Sequence, residues 1–242
     1  MGERSDFWPL LRTPQIDRRE RGAHLPRLVA AVFRVSEAEF PVAVGPPTLE
    51  HVAVEERAGA LGADGDRDRR AAKVDGGELD GGRLAGLTQS GSAKALLPRS
   101  YGPAPEVVFL NTSGGLTAGD TLDYQLDLGP ATRATATTQT AERAYRADGI
   151  PAQARVALKV GAGGMLDWLP QETILFDGAQ LDRLTEVDLA EDASFLGLET
   201  IVLGRAAMGE TPRRLHLSDR RVIRRAGKLE VFDPFWLDDT GL

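Results

Sequence analysis

From about residue 83 onward the chain follows one local pattern, in which runs of strand length, apolar or alternating, are separated by turn signals. The runs are EVVFL (106–110), LDYQLDL (122–128), ATRATATTQT (131–140), AQARVALKV (152–160), MLDWL (165–169), ETILF (172–176), LTEVDLA (184–190), FLGLETIVL (195–203), RRLHL (213–217) and KLEVF (228–232). Between them stand Gly129-Pro130, Asp148-Gly149, GAGG at 161–164, Asp177-Gly178, Glu191-Asp192 and Ala226-Gly227. Runs rich in Val, Thr, Leu and Ile, with turns every ten or so residues, specify strands rather than helices. The pattern predicts an all-β domain of many short strands with little helix. Sandwich, barrel and irregular β-helix-like coil stay equally open on periodicity alone.

This domain is expected to span residues 83–242. Residues 59–82 lack aromatics and are dominated by Gly, Asp and Arg, a composition too poor in apolar surface to offset ordering entropy, so they are read as a flexible linker. Residues 1–58 form an Arg-rich, Pro-bearing extension, either loosely ordered or carrying one short helix on whose face Leu28, Val29, Val32, Phe33 and Val35 would lie.

Composition removes several kinds of chemistry. The 242-residue chain has no cysteine, which excludes disulfides, thiolate zinc sites and a cysteine nucleophile. A formal net charge of −7 argues against nucleic acid as a partner of the whole molecule. No stretch approaches the ~20 apolar residues of a membrane span, and no signal peptide is evident, so a cytoplasmic location is expected. Of three histidines, His24 and His51 lie in the extension and only His216 in the β region. A Ser-His-Asp triad is therefore hard to assemble, and Ser113 reads as a turn residue.

The loop NTSGGLTAGD (111–120) resembles a phosphate cradle but fails its test. Gly119 is followed by Asp120, whose carboxylate would repel phosphate, and then by an alternating run rather than a helix. WLPQETILFDGA (168–179) sets Glu172 among apolar neighbours; alternation places Glu172, Ile174 and Phe176 on one face, with Thr173 and Leu175 on the other. GLETIVLGRAAMGE (197–210) puts Glu199 inside an apolar strand and frames a loop with Arg205 and Glu210, read either as a functional acidic set or as an ion pair pinning the loop. Arginines 213, 214, 220, 221, 224 and 225 form a basic cluster read as a solvated strand face. Paired carboxylates also admit a β-solenoid enzyme acting on carbohydrate, with Asp177 and Glu172 or Glu210 as acid and base.

GSAKALLPRSYG (91–102), EVVFLNTSGGLTAGDTL (106–122), TTQTAERAYRA (137–147), WLPQETILFDGA (168–179) and LGRAAMGE (203–210), in that order, resemble the motifs of the UreD (UreH) family of urease accessory proteins. The matching positions include Gly114, Gly115, Gly119, Trp168, Pro170, Gln171, Glu172, Asp177, Gly178, Arg205 and Glu210. The resemblance implies a non-enzymatic maturation chaperone with a β-helix-like body and a small helical portion near the C-terminus. It implies binding to the urease apoprotein and to the UreF–UreG complex, no tightly bound cofactor, and nickel in transit through an internal water-filled tunnel, with Asp120 and Glu199 matching its acidic lining. Isolated carboxylates with water attract hydrated Ni²⁺ without trapping it, as clusters of His or Cys would.

Two departures from the family pattern stand out. Residues 1–78 have no counterpart in it, and after KLEVFDPFWLDDTGL the chain stops where family members continue for tens of residues. The domain is therefore read as C-terminally truncated, either functional or an inactive remnant, with Phe235, Trp236 and Leu237 expected to be exposed and unpartnered.

Overall fold

The computed structural model describes residues 27–35, 71–80, 83–99, 104–205 and 208–239. Its strands are β1 (Arg27–Val35), β2 (Ala71–Asp80), β3 (Arg83–Ser90), β4 (Ala93–Leu96), β5 (Glu106–Asn111), β6 (Thr121–Leu128), β7 (Arg133–Thr138), β8 (Glu142–Ala144), β9 (Ala152–Val160), β10 (Met165–Trp168), β11 (Thr173–Leu175), β12 (Ala179–Leu189), β13 (Ser194–Leu203), β14 (Leu215–Arg225) and β15 (Lys228–Leu237). Each of the ten runs read from the sequence overlaps one of these strands. There is no α-helix among the described residues, so the helical portion implied by the resemblance is not among them, and no helix there is long and apolar enough to cross a membrane.

The strands build two sheets. One has the order β4-β5-β7-β10-β13-β11-β8, with β1 also on β13; the other runs β15-β14-β12-β9-β6-β2-β3. From β5 to β14 the chain alternates between them, and each strand pairs in parallel with its counterpart one turn earlier: β6 with β9, β9 with β12, β12 with β14. The result is an irregular β-helix-like coil. Period-two burial along β6, β12 and β13 sends one face of every strand inward, where Phe109, Leu126, Leu166, Leu181, Ile201 and Leu217 are almost fully enclosed.

The sheet containing β13 is interrupted, and the interruption widens in a regular way. The pairs Trp168–Gly197 and Thr173–Ile201 leave 169–172 facing the shorter 198–200. One turn back, the pairs Ala136–Trp168 and Glu142–Thr173 leave 137–141 facing 169–172. In the first turn the pairs Phe109–Thr138 and Leu116–Ala144 leave 110–115, which holds the start of the glycine loop, facing 139–143. Each break is one residue longer than its neighbour, so the sheet splays open toward β5. Register is recovered beyond each break, and the inward face stays inward.

Three expectations change. Residues 27–35, read as a possible helix, form a strand antiparallel to β13; an apolar run this short fits either period, and the long uninterrupted edge of β13 decides the matter. Residues 71–80, placed in the linker by composition, pair with β6 and β3, because a preformed strand edge supplies backbone partners regardless of side chains. The rest of the extension and linker readings, 1–26, 36–70 and 81–82, lies outside the described residues. At the other end Phe235 packs against the core and Leu237 is buried, leaving Trp236 as the exposed member of that trio. β15 pairs along β14, and its alternation turns Phe235 and Leu237 inward.

The glycine loop is tightly fitted. At Gly115, whose φ is +151°, an added Cβ would lie 2.4 Å from the Tyr145 ring and 2.7 Å from the Arg143 carbonyl oxygen. At Gly114 (φ +80°) the space is open. Gly114→Ala should therefore cost only the left-handed backbone penalty, about 1–2 kcal/mol, whereas Gly115→Ala should add overpacking of about 1–3 kcal/mol more. Urea unfolding of the two variants checks the order; equal losses would contradict it.

Candidate functional site

Where the sheet splays, a cavity of about 70 Å³ lies between the two layers, room for a few water molecules. Its walls come from both sheets: Tyr124, Val156 and Arg183 on one side, Trp168, Thr173 and Glu199 on the other, with Asn111, Glu142 and Gln171 at the broken rungs. A second void of about 10 Å³ lies beyond Trp168 and Glu199, which line both. Among the cavity-lining residues the carboxylates are Glu142 and Glu199.

Glu199 is held by a buried lattice of charges. Its Oε1 accepts from Trp168 Nε1 (3.1 Å) and Thr185 Oγ1 (2.9 Å), and its Oε2 accepts from Arg221 Nε (2.7 Å). Arg183 donates through Nε and Nη2 to both oxygens of Asp219 (2.9 and 2.6 Å) and through Nη1 to Thr173 (3.1 Å), with Nη2 3.4 Å from Glu199. Arg221 also contacts Asp219 and reaches Asp233 at 2.8 Å. Strand register explains the assembly, since Arg183 sits beside Asp219, Thr185 beside Arg221 and Arg221 beside Asp233. Burial alone would push the Glu199 carboxyl up, but the guanidiniums of Arg183 and Arg221 overcome it and hold the carboxyl below its ordinary range. Burial likewise opposes the charge on Arg183, and Glu199 and Asp219 more than restore it.

Glu142 is the less constrained acid. It accepts from Asn111 Nδ2 at 3.3 and 3.4 Å and from the Arg143 backbone N–H at 3.0 Å. Burial pushes its carboxyl up, and those donors only partly offset the effect. Burial, and then the Glu142 charge, raise the Tyr124 hydroxyl in turn.

The residues singled out in the sequence fall into three places. Gly114, Trp168, Pro170, Gln171 and Glu199 surround the cavity. Asp120 is buried at the start of β6, where its Oδ2 accepts from the Thr117 backbone N–H (2.9 Å), and Gly119 donates to the Ile150 carbonyl; neither is among the cavity's lining residues. Asp177, Gly178, Arg205 and Glu210 form a separate surface cluster. Arg205 Nε donates to Glu210 at 2.6 Å and its guanidinium lies 4.7 Å over the Phe176 ring, so the pair pins the 205–210 loop. The Asp177 carboxylate accepts from the backbone N–H groups of Arg213 and Arg214. Those bonds lower the Asp177 carboxyl, and Arg205 lowers Glu210, so neither holds a proton to donate at neutral pH. Glu172 is half-buried on the face it shares with Ile174, opposite buried Thr173 and Leu175. Ser113 donates to Asn111 Oδ1 within its own turn.

The sequence reading missed Arg183, Asp219, Arg221 and Glu142. Arg221 and Arg225, taken as part of a solvated face, are buried, and only Arg220 of that strand fits the solvated description fully. A signal was present: in LHLSDRRVIRR the charges at 219, 221 and 225 share the parity of Leu215, Leu217 and Ile223.

These features define a scaffold class: a coiled β body enclosing a small cavity, with no cluster of three or more His, Cys, Asp or Glu able to hold a metal among the described residues. Residues 71–241 match the model of the UreD urease accessory protein family, and the chain belongs to that family. It is similar to urease accessory protein UreD of Paracoccus denitrificans (58% identity over 176 residues, 73% of this chain and 62% of the relative) and to that of Cereibacter sphaeroides strain ATCC 17029 (61% over 160 residues, 66% and 58%). The match thus spans about 60% of these relatives' length.

Two stability tests follow from the carboxylates. Glu199→Gln leaves buried guanidinium charge uncompensated and should cost about 3–5 kcal/mol. Because the Glu199 carboxyl titrates below its unfolded value of 4.5, its contribution is complete above that pH and is lost as pH falls further. Glu142 has the opposite sign, its folded carboxyl being raised, so Glu142→Gln should raise the melting temperature at pH 8, with the gain gone by about pH 4. Melting curves of both variants from pH 3 to 8 check the pair.

Proposed function

We propose that the chain is a non-enzymatic chaperone of urease maturation that binds the urease apoprotein and the UreF–UreG complex and passes nickel toward the urease site. Family membership supports the accessory role. The observation that carries the nickel step is the interior cavity, bounded by Glu142 and Glu199 and followed by a second void beyond Glu199. Water and isolated carboxylates give a hydrated divalent cation weak, exchangeable contacts. Glu199, already engaged by Trp168, Thr185 and Arg221, would act on the cation through its charge more than as a ligand. Asp120, the second passage carboxylate in this reading, would act at the turn leading into β6. The carbohydrate-enzyme alternative is weakened for the pair Asp177 and Glu210, because the donors to each lower its carboxyl and neither suits a general acid.

Complementation tests the whole reading: expression in a urease-positive strain lacking its own UreD should restore urease activity and nickel content. Absence of restoration by soluble protein would reject the role for this chain. For the passage itself, Asp120→Leu should lower urease nickel loading at least tenfold while Asp120→Asn, which keeps size and hydration, should lower it less. Unchanged loading in the leucine form would reject Asp120, and a parallel loss of melting temperature would make it structural.

A further inference from the structure

The glycine loop at 111–120 spends its backbone donors on its own chain. The N–H groups of Thr112, Gly114, Leu116, Gly119 and Asp120 reach the carbonyl oxygens of Ser92, Asn111, Arg143, Ile150 and Thr117 in turn. Ser113 N–H donates to Asn111 Oδ1 and Thr117 N–H to Asp120 Oδ2. Between 112 and 120 no two adjacent donors are left open, so the loop lacks the concave row of N–H groups that an anion needs.

What the loop presents instead is one side-chain amide. Asn111 closes β5, and its Oδ1 accepts from the Ser113 N–H (3.1 Å) and hydroxyl (2.6 Å), a turn that asparagine makes with its own chain two residues on. With Oδ1 committed, Nδ2 faces the other way, where it lies 3.3 and 3.4 Å from the two Glu142 oxygens. The Arg143 N–H holds Glu142 Oε1 at 3.0 Å, whereas Asn111 is the partner of Oε2 among the described residues. The spacing is fixed by backbone: Leu116 donates to the Arg143 carbonyl at 2.7 Å, and Gly115 leaves room for the Tyr145 ring where a Cβ would collide. The Asn111 contact is longer than the usual ~2.7–3.2 Å, so it orients the carboxylate without saturating it.

We propose that Asn111, locked by the Ser113 turn, is a positioning residue that aims the Glu142 carboxylate into the cavity and yields it to a hydrated divalent cation. Both side chains line that cavity. A cation arriving at Glu142 Oε2 displaces one long hydrogen bond, whereas at Glu199 it would compete with Trp168, Thr185 and Arg221. Glu142 is therefore the acid that meets the cation, and the glycine turn is the cradle of a carboxylate of its own chain. The inference rests on the nickel-passage reading and adds to it the residue that readies Glu142.

The test places the full chain in a urease-positive strain lacking its own UreD, as wild type, Asn111→Leu, Asn111→Asp, Glu142→Gln and the control Lys159→Ala, an exposed position on β9. Urease nickel content and melting temperature are measured, and each purified chain is dialysed against Ni²⁺ at pH 8 to determine the nickel it retains. Asn111→Leu, which keeps size and loses the donor, should lower nickel loading at least tenfold while staying folded. Asn111→Asp still accepts from Ser113 but sets a second carboxylate beside Glu142, so it should retain at least tenfold more Ni²⁺ than wild type. The control should match wild type in both measurements. Normal loading in Asn111→Leu, with Glu142→Gln impaired, overturns the positioning role and leaves the passage standing. Ni²⁺ retention in Asn111→Asp no greater than wild type overturns it too, even where the leucine form fails to fold. Normal loading in Glu142→Gln removes Glu142 from the passage and this inference with it, and a wild-type chain that restores no urease overturns both the inference and the maturation reading.

Discussion

The two layers of the coil are tied together by the contact of Glu199 with Arg221, reinforced by Arg183 and Asp219. Glu199 projects from one sheet and the other three from its opposite. Four charged groups in so little space need one another, since any of them alone would carry a large desolvation cost. The lattice therefore constrains geometry more than it adds net stability: the sheets must meet at the separation that closes these hydrogen bonds. Trp168 is fixed by the same requirement, and it stacks edge-on against Phe109, whose ring lies 4.8 Å from that of Tyr124.

Polarity consequently varies along the coil. The inward row in register with Arg183 and Asp219 begins with Leu122 and Ala154, and the row ending at Arg221 and Asp233 begins with Tyr124 and Val156. Early turns are apolar and open at the break; later turns are charged and closed. The cavity sits at the change between them, where Arg183 forms part of the wall.

Much of the strand plan was legible because period two and turn residues are local signals. The runs at 152–160 and 195–203 became β9 and β13 with their ends shifted by no more than one residue. Pairing was not legible. Which strands become neighbours in a coil depends on contacts some thirty residues apart, as between Trp168 and Glu199, and no local pattern encodes them. The family resemblance located Glu199 but not its partners. Arg183 stood outside every quoted motif, and Glu142 stood inside one without any feature to mark it. The strand at 71–80 was hidden for a different reason, since its order derives from the edge of β6 rather than from its own composition.

The stepwise widening of the broken sheet separates two properties that a continuous strand would couple. Within a strand, removing one residue reverses the facing of everything beyond it. Within 139–141 or 169–172 it would not, because pairing restarts at Glu142, Thr173 and Ile201 on the far side. The bore of the coil is thus set by segment length in a region where length is not tied to facing. A lineage can widen or narrow the cavity by single insertions and deletions there while the core contacts on either side keep their partners.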